Sequence, residues 1–575
     1  MIVIVDVETT GLRARVDELV LVGFFIAGEP ITLRHGPDSD QIQRLLDLDA
    51  TYCAHNNNFE RHFLKANGYR VPERWIDTQV ISHVTGTDGE RKAGNAALPR
   101  LTKRLISLGE LPADALEPEE RIKRWLAGAR RQASKEGGPR PEKGHAPYAV
   151  LAPYLEADLS CTAAVLDHYT RNINGQGGVL RLEQRVMPAI YHAEARGVPI
   201  DMPAARRVRY ESVAKLDELR RRLFELAGGP FSLGSSQQLE RVLQDRDVDL
   251  SGAKRTPTGL LARSAQALER IDDDLVRLLK EHRDEDIFHR LFDGLIKRVV
   301  GERLFGSFHQ VGAETGRMSS GDPNLQNIPS SDLRARYCIC APPGKVLVGA
   351  DLSAVELRVT AAYAPGGALE RDLAAGIDPH QRVADEFGVD RGTAKSFNFG
   401  VLYGAGAPRV ASILGIDRAA ARVALDRWYA TYPEIARLKV KLARQIRRRG
   451  YIETIGGRRH YADRANHMTV NYLVQGSAAD LFKAAIAELH AAGCPLILFV
   501  HDEIVCEVDE DQAESTAALL EATLPQTMER GEVRVDNLIA KAEVHRRWSD
   551  FKQPGWTPWE ARPSRRAPLT ELERG

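Results

Sequence analysis

Two sets of carboxylates lie at the ends of apolar runs, where charge is costly unless something neutralises it. In "MIVIVDVETTGL" both alternating faces before the acids are apolar, so the stretch reads as a buried strand followed by a turn. Asp6 and Glu8 are two positions apart and point to one face of that strand. A divalent cation would remove their repulsion, and hard oxygen ligands suit Mg2+. "HNNNFERHFL" adds Asn56, Phe59 and Glu60, and "PYLEADLS" places Tyr154 one helical turn before Asp158. Further on, "KVLVGADLSAVELRV" ends a strand at Asp351, and "PLILFVHDEIVCEV" reads as a hairpin with Asp502 and Glu503 at its tip. Adjacent strands of one sheet would bring Asp351 and Asp502 together. Two carboxylates sharing two metal ions is the arrangement that nucleotidyl transfer requires.

A helix must stand near these acids if they handle a triphosphate. "DRGTAKSFNFGVLYGAG" supplies one, with Arg391, Lys395, Phe399 and Tyr403 recurring every four residues. Each step turns about 400°, so the stripe drifts only about 40° and climbs about 6 Å. Asp390 is the expected N-cap and Gly404 with Gly406 the stop. The cations then sit at the positive end of the helix, where phosphate oxygens are favoured. The aromatics follow, where a base and sugar stack. Ser353 and Glu356 spell S-x-x-E at a helix start, the pattern of a capping box.

The scaffold reads as multidomain. The chain has 575 residues, enough for several cores, and 79 basic side chains balance 79 acidic ones. That balance argues against a uniformly basic coat but allows a local basic groove. The six cysteines are scattered, with only Cys338 and Cys340 close in sequence, which fits reduced thiols. The start of the chain does not read as a signal peptide, and no run looks long enough to span a bilayer, so a cytoplasmic location without membrane contact is expected. "SKEGGPRPEKGH" (134–145) reads as an exposed loop, and from about residue 180 the pattern becomes strongly helical.

Taken with these motifs, residues 1–172 resemble the tyrosine-containing subgroup of the DEDD 3′–5′ exonucleases. The first motif falls on Asp6 and Glu8, the second on Asn56, Phe59 and Glu60, and the third on Tyr154 and Asp158. The departure is Glu60, where the family usually has Asp. Residues from about 185 to 550 resemble the family A DNA polymerases. "ETGRMSSGDPNLQNIP", "DLSAVELR", "RGTAKSFNFGVLYG", "YIETIGGRRHY", "NYLVQGSAAD" and "VHDEI" carry that likeness, with motif order kept.

The resemblance implies an α/β multidomain fold. An RNase H-like exonuclease domain (1–172) would precede a right-hand polymerase domain (173–552), with a tail at 553–575. The thumb would span about 205–305, the fingers about 371–465, and the palm the rest. By the same analogy Asp6, Glu8 and Asp158 hold exonuclease metals beside Glu60, and Tyr154 orients the attacking water. Asp351 and Asp502 hold the polymerase metals, with Glu503 in support. The expected cofactor is Mg2+, two ions per active site, with Mn2+ as a substitute. Arg391 and Lys395 would bind the incoming triphosphate, Phe399 stack on the nucleotide, and Tyr403 guard the template side. Glu356 would close the space of a 2′-hydroxyl. Arg317, Asn471 and Gln475 would contact DNA, and His501 the primer terminus. His467 stands where the family usually has arginine. Phe399, in place of tyrosine, implies discrimination against dideoxynucleotides.

The expected partners are primer–template DNA and dNTPs, handled by a monomer whose DNA affinity falls steeply with salt. Because the chain opens at the exonuclease motif, a phage or prophage polymerase is the expected origin, with repair synthesis as the alternative. A single-subunit RNA polymerase would share the Arg/Lys helix but lack the DEDD motifs and the Glu356 gate. A silent DNA clamp would not need Asp351, Asp502 and Lys395 together.

Overall fold

The computed structural model describes residues 1–36, 38–86, 96–251, 253–268, 271–461 and 468–558. His467 and residues 559–575 of the expected tail lie outside them. The described chain divides into two compact units. One comprises Met1–Arg196, Gly306–Gln326 and Val348–Val544, and the other Gly197–Phe305, Asn327–Leu347 and the chain from His545 onward.

The first unit begins with a five-stranded sheet in the order Thr32–His35, Leu19–Ile26, Ile2–Thr9, Thr51–Ala54, Trp75–Asp77. The first three pair antiparallel, and the last two are added in parallel. The strand Ile2–Thr9 is central, which is why both its faces are apolar. In its register Asp6 lies opposite Gly23. A Cβ at Gly23 would come within 2.6 Å of Leu159 and 3.1 Å of Leu155. Glycine there lets the helix Tyr148–Arg171 press onto the sheet and carry Tyr154 and Asp158 to the acids of the first strand. That helix is, by length and composition, apolar enough to cross a membrane, contrary to the expectation that no run is. In this fold Leu151, Leu155, Leu159 and Val165 are buried in a core against Ile4 and Leu21.

A second sheet in this unit has the order Leu496–Val500, Glu503–Asp509, Lys345–Leu352, Ala540–His545. The hairpin's tip is His501 and Asp502. Glu503 is already the first residue of the returning strand, paired with Val500 and buried, so its place at the tip is corrected. The hairpin also brings the Sγ atoms of Cys494 and Cys506 to 3.0 Å as free thiols, a proximity their separation in sequence concealed.

Behind this sheet the helices Gly177–Arg196 and Thr469–Ala491 pack together around a buried set of charges. Lys483 Nζ donates to both oxygens of Glu183 at 2.7 and 2.9 Å. Arg458 Nη2 donates to Glu183 at 2.5 Å and to Asp480 at 3.1 Å. Gln310 Nε2 adds a bond to Glu183 at 2.5 Å. All four charged side chains are fully buried, two of each sign. Burial pushes the Lys483 ammonium down to about 8, while the neighbouring cations Lys483 and Arg458 pull the Glu183 carboxyl below its usual range against the effect of burial.

The second unit is built on the helices Met202–Leu226 and Asp274–Ile296. Leu219, Leu223, Leu239, Leu243, Leu275 and Leu279 form its core. Ser212 Oγ donates to Glu285 at 2.5 Å, and Glu285 also takes the guanidinium of Arg334 at 2.7 and 3.1 Å. The helix Ser236–Asp245 is capped by Ser235, whose hydroxyl accepts from Gln238 N.

Removing Lys483 would leave the fully buried Glu183 with Arg458 as its one cation among the described residues. Lys483→Met is expected to cost about 3–5 kcal/mol, read as a shift of the urea unfolding midpoint. A loss below about 1 kcal/mol would mean the quartet is not an integral support.

Candidate active sites

The first site gathers Asp6, Glu8 and Asp158, whose carboxylate oxygens lie within 4.8 Å of one another. Glu60 enters from the helix Asn58–Ala66, is buried, and has a carboxylate oxygen (Oε2) with no hydrogen-bond partner among the described residues. Burial and then the Asp158 charge push Asp6 up to about 7, and burial pushes Asp158 up to about 6. Glu8 and Glu60 are raised by burial first and by the Asp6 charge second. Four raised acids and an unpartnered buried oxygen form a hard-oxygen donor set suited to Mg2+ or Mn2+. Asn56, at φ +73°, makes the turn into the Glu60 helix, and Asp77 accepts from the backbone N–H of Asn56 and Asn57 at 3.1 and 2.8 Å. Phe59 packs into the sheet's core, its ring 4.8 Å from Phe63.

Lys143 was not foreseen. The helix Glu117–Glu136 takes up the start of the segment read as an exposed loop, and Lys143–His145 forms a 3₁₀ turn. Gly144 is buried, and a Cβ there would lie 2.5 Å from the Thr9 carbonyl oxygen. That close approach seats Lys143 beside the acids. Its ammonium donates to the Tyr154 hydroxyl and lies 4.2 Å from the centre of its ring. Tyr154 in turn bonds Asp158, giving a chain from lysine to tyrosine to carboxylate.

The second site lies where Asp351 ends its strand and Asp502 turns the hairpin. Leu352 N–H donates to the Asp502 carbonyl at 3.3 Å, fixing the two strand ends side by side. Burial pushes the Asp502 carboxyl up to about 6, with the Asp351 charge adding to it. His501 and Ala354, each next to this pair, hold positive φ of 58° and 50°. For residues with a Cβ that conformation costs roughly 1–2 kcal/mol apiece, and such strain collects where a site dictates the backbone.

Glu356 does not form the capping box. The helix Val355–Tyr363 starts at Ala354 with no side-chain cap, because the Glu356 carboxylate is engaged elsewhere. Arg317 and the Tyr403 hydroxyl both donate to it. Gln475 bonds Tyr403, so Arg317, Glu356, Tyr403 and Gln475 form one polar lattice. Arg317, His501 and Asp502 share one small cavity with Phe482 and Lys483. Asp390 caps the helix Arg391–Leu402 through Gly392 and Thr393 N–H, as expected. Phe399 and Tyr403 stack at 6.0 Å and 12°. Arg391 is paired with Asp378 at 2.7 Å, and Lys395 is exposed. Asn471, one turn before Gln475, has a buried amide oxygen with no partner among the described residues. His380 was missed; its ring lies 5.2 Å from Phe399, and burial pushes it down to about 4, leaving it neutral.

A family model described as DNA polymerase family A matches residues 203–550. The chain belongs to DNA polymerase family A. It is 36% identical over 405 residues to the thermostable DNA polymerase I of Thermus filiformis, covering 65% of this chain and 48% of that one. It is 28% identical over 570 residues to DNA polymerase I of Chloroflexus aurantiacus, covering 90% and 58%. The chain thus spans about half the length of the curated relatives it matches. A solved structure, the POL domain of Pol1 from M. smegmatis in complex with DNA primer-template and dNTP, superposes with a TM-score of 0.75. That likeness covers 95% of each chain at 21% identity and shows a shared fold. Within family A, Asp351, Glu356, Tyr403, Gln475 and Asp502 all fall inside the matched segment.

The raised acids set a pH window. Asp6 titrates at about 7 in the fold against roughly 3.9 unfolded. Between those values the folded chain holds a proton that the unfolded chain has lost. Its metal-free contribution to stability therefore falls as pH rises from about 4 to 7. Metal needs the ionised form, so Mn2+ is expected to raise the melting temperature at pH 7.5 and scarcely at pH 5. Asp6→Asn should flatten the metal-free slope and the metal response alike. An unchanged pH slope in that variant would contradict the assignment.

Proposed function

We propose that this chain is a DNA-templated DNA polymerase that extends a primer 3′ end with dNTPs and proofreads with a 3′–5′ exonuclease. The observation that carries the polymerase reading is the placement of Asp351 and Asp502 side by side, facing the Arg317–Glu356–Tyr403–Gln475 lattice, in a family A chain. Membership of the family, and the primer–template and dNTP bound by the M. smegmatis relative, favour the same substrates here. For the exonuclease the support is the Asp6–Glu8–Asp158 cluster, with Glu60 and Tyr154 brought to it by helices packed on the five-stranded sheet. On this reading residues 1–172 are the exonuclease, 173–552 the polymerase with thumb near 205–305 and fingers near 371–465, and 553–575 a tail.

In the polymerase site Asp351 and Asp502 would hold two Mg2+ ions, and Asp6, Glu8 and Asp158 would hold the exonuclease pair. Bound there, such ions lower the pKa of an attacking oxygen and stabilise the departing one. The protein's own groups do the positioning. Arg391 and Lys395, at the N-terminal end of their helix, take the triphosphate oxygens, with Arg391 exchanging Asp378 for phosphate. Phe399 offers a stacking face to the nucleotide. Glu356, held by Arg317 and Tyr403, fills the space a ribose 2′-hydroxyl needs. Arg317, Asn471 and Gln475 meet the DNA strands through their donors, His501 approaches the primer terminus, and Glu503 supports Asp502. In the exonuclease site Tyr154, fixed by Lys143, orients the water. The enzyme works as a monomer in the cytoplasm or nucleoid of a bacterial host, in copying phage or prophage DNA or in repair synthesis.

Asp502→Asn is expected to lower primer extension by about three orders of magnitude or more while leaving 3′-end excision in place. Extension at the wild-type rate would end this reading. Because Phe399 carries no hydroxyl to stand in for a missing 3′-OH, the wild type should prefer dNTPs over ddNTPs. Phe399→Tyr should narrow that preference roughly 10- to 100-fold. Equal use of both by the wild type would refute the role given to Phe399.

A further inference from the structure

Glu194 lies in the last turn of the helix Gly177–Arg196, is buried, and serves neither reaction directly. Its two carboxylate oxygens go to different places. Oε2 accepts from His62 Nε2 at 2.8 Å and from Asn58 Nδ2 at 3.0 Å. Asn58 and His62 sit one turn apart on the helix that carries Glu60, and both face away from the acidic cluster. The same face is docked a second time by Arg61, whose guanidinium lies 3.7 Å from the Tyr191 ring centre, and by the His62 ring stacked on Tyr191 at 4.9 Å.

The other oxygen, Oε1, accepts from the backbone N–H of Phe308 at 2.5 Å. Phe308 pairs with Ser320 in the short hairpin whose connection carries Arg317. Its ring packs edge-on against Phe499 at 5.1 Å, three residues before Asp502, and Gln326 Nε2 holds the Phe499 carbonyl at 3.2 Å. One carboxylate is thus bonded on one side to the helix bearing Glu60. On its other side it is bonded to the strand that packs against the Asp502 hairpin and leads to Arg317.

We propose that Glu194 is a positioning residue shared by both active sites, setting the seat of Glu60 and the seat of the Asp502 hairpin through its separate oxygens. The inference rests on the two-site reading given above. A group that helps define two sites couples them, and the coupling is reciprocal.

The test uses the full chain and two readouts. In an Asp351→Asn/Asp502→Asn background, Mn2+ titration followed by electron paramagnetic resonance reports metal affinity at the Asp6 cluster. In an Asp6→Asn background, single-nucleotide extension reports kcat and KM without excision. Glu194→Ala is expected to weaken Mn2+ binding about three- to tenfold and to lower extension kcat by a similar factor, with KM for the dNTP little changed. Glu194→Gln keeps the volume and one acceptor oxygen, which serves the Phe308 N–H. Its two amide hydrogens go to His62, which can present the accepting tautomer, and to Asn58, whose own amide turns its oxygen inward at the cost of the 3.4 Å contact with Arg61. That variant should therefore hold both values within about twofold.

The inference is overturned if Glu194→Ala moves only one readout or neither, or if Glu194→Gln falls with it in both. Should Glu194→Ala fail to fold, His62→Ala replaces it for the metal readout alone, with the same expected loss and extension unaffected. Equal Mn2+ affinity in that variant overturns the proposal. Wild-type chain that excises no 3′ ends, yet shows both Glu194 effects, would remove the exonuclease reading and leave the shared seat standing.

Discussion

The quartet of Glu183, Lys483, Arg458 and Asp480 holds the first unit together at the point where its parts diverge. Each member alone would be prohibitively costly to bury, and each is tolerated because the others are in place. Glu183 comes from the helix that follows the first sheet, Lys483 and Asp480 from the helix of Gln475, and Arg458 from the turn between two short strands. Gln310 ties the segment of Arg317 to the same carboxylate. The requirement that four charges be satisfied at once fixes the relative seats of these elements more tightly than apolar packing would. The polar lattice of Arg317, Glu356, Tyr403 and Gln475 is built outward from that fixed point.

Each candidate site then faces the opposite problem, an excess of like charge. At Asp6, Glu8, Glu60 and Asp158 the fold accepts acids that burial disfavours and supplies one ammonium, from Lys143, against them. At Asp351 and Asp502 the repulsion is milder, because Asp351 is exposed. Backbone geometry holds both arrangements. Gly23 admits a helix, Gly144 admits a turn, and His501 and Ala354 accept positive φ beside the acids. Strained or crowded backbone thus collects beside the acids, where side-chain position matters most.

What the sequence made legible was local and periodic. The strand ending at Asp6, the Tyr154–Asp158 pair on one helix face, the Asp390-capped helix with its stripe, and the hairpin of Asp502 all follow from periods of two or 3.6 and from capping chemistry. What stayed hidden depends on partners far away in the chain. Glu356 sits in a good capping-box pattern, yet Arg317 and Tyr403 outcompete the backbone for its carboxylate. Lys143 lies in a segment with every mark of a solvated loop, and only the contact of Gly144 with Thr9 turns it inward. Glu194 and Glu183 look like ordinary polar positions of a helix until its three-dimensional neighbours are known. The helix Tyr148–Arg171 passes for a membrane span by composition because it is buried on several sides.

The central claim is that one chain carries two carboxylate sites of opposite purpose, one that adds nucleotides and one that removes them. A labelled primer–template with a mispaired 3′ end, incubated with Mg2+ with and without dNTPs, tests it most directly. The account predicts shortening without dNTPs, and removal of the mismatch followed by full extension when they are present. Absence of extension even from a matched primer would contradict it at the Asp351–Asp502 site. Extension that leaves the mismatch in place would contradict it at the Asp6–Glu8–Glu60–Asp158 site.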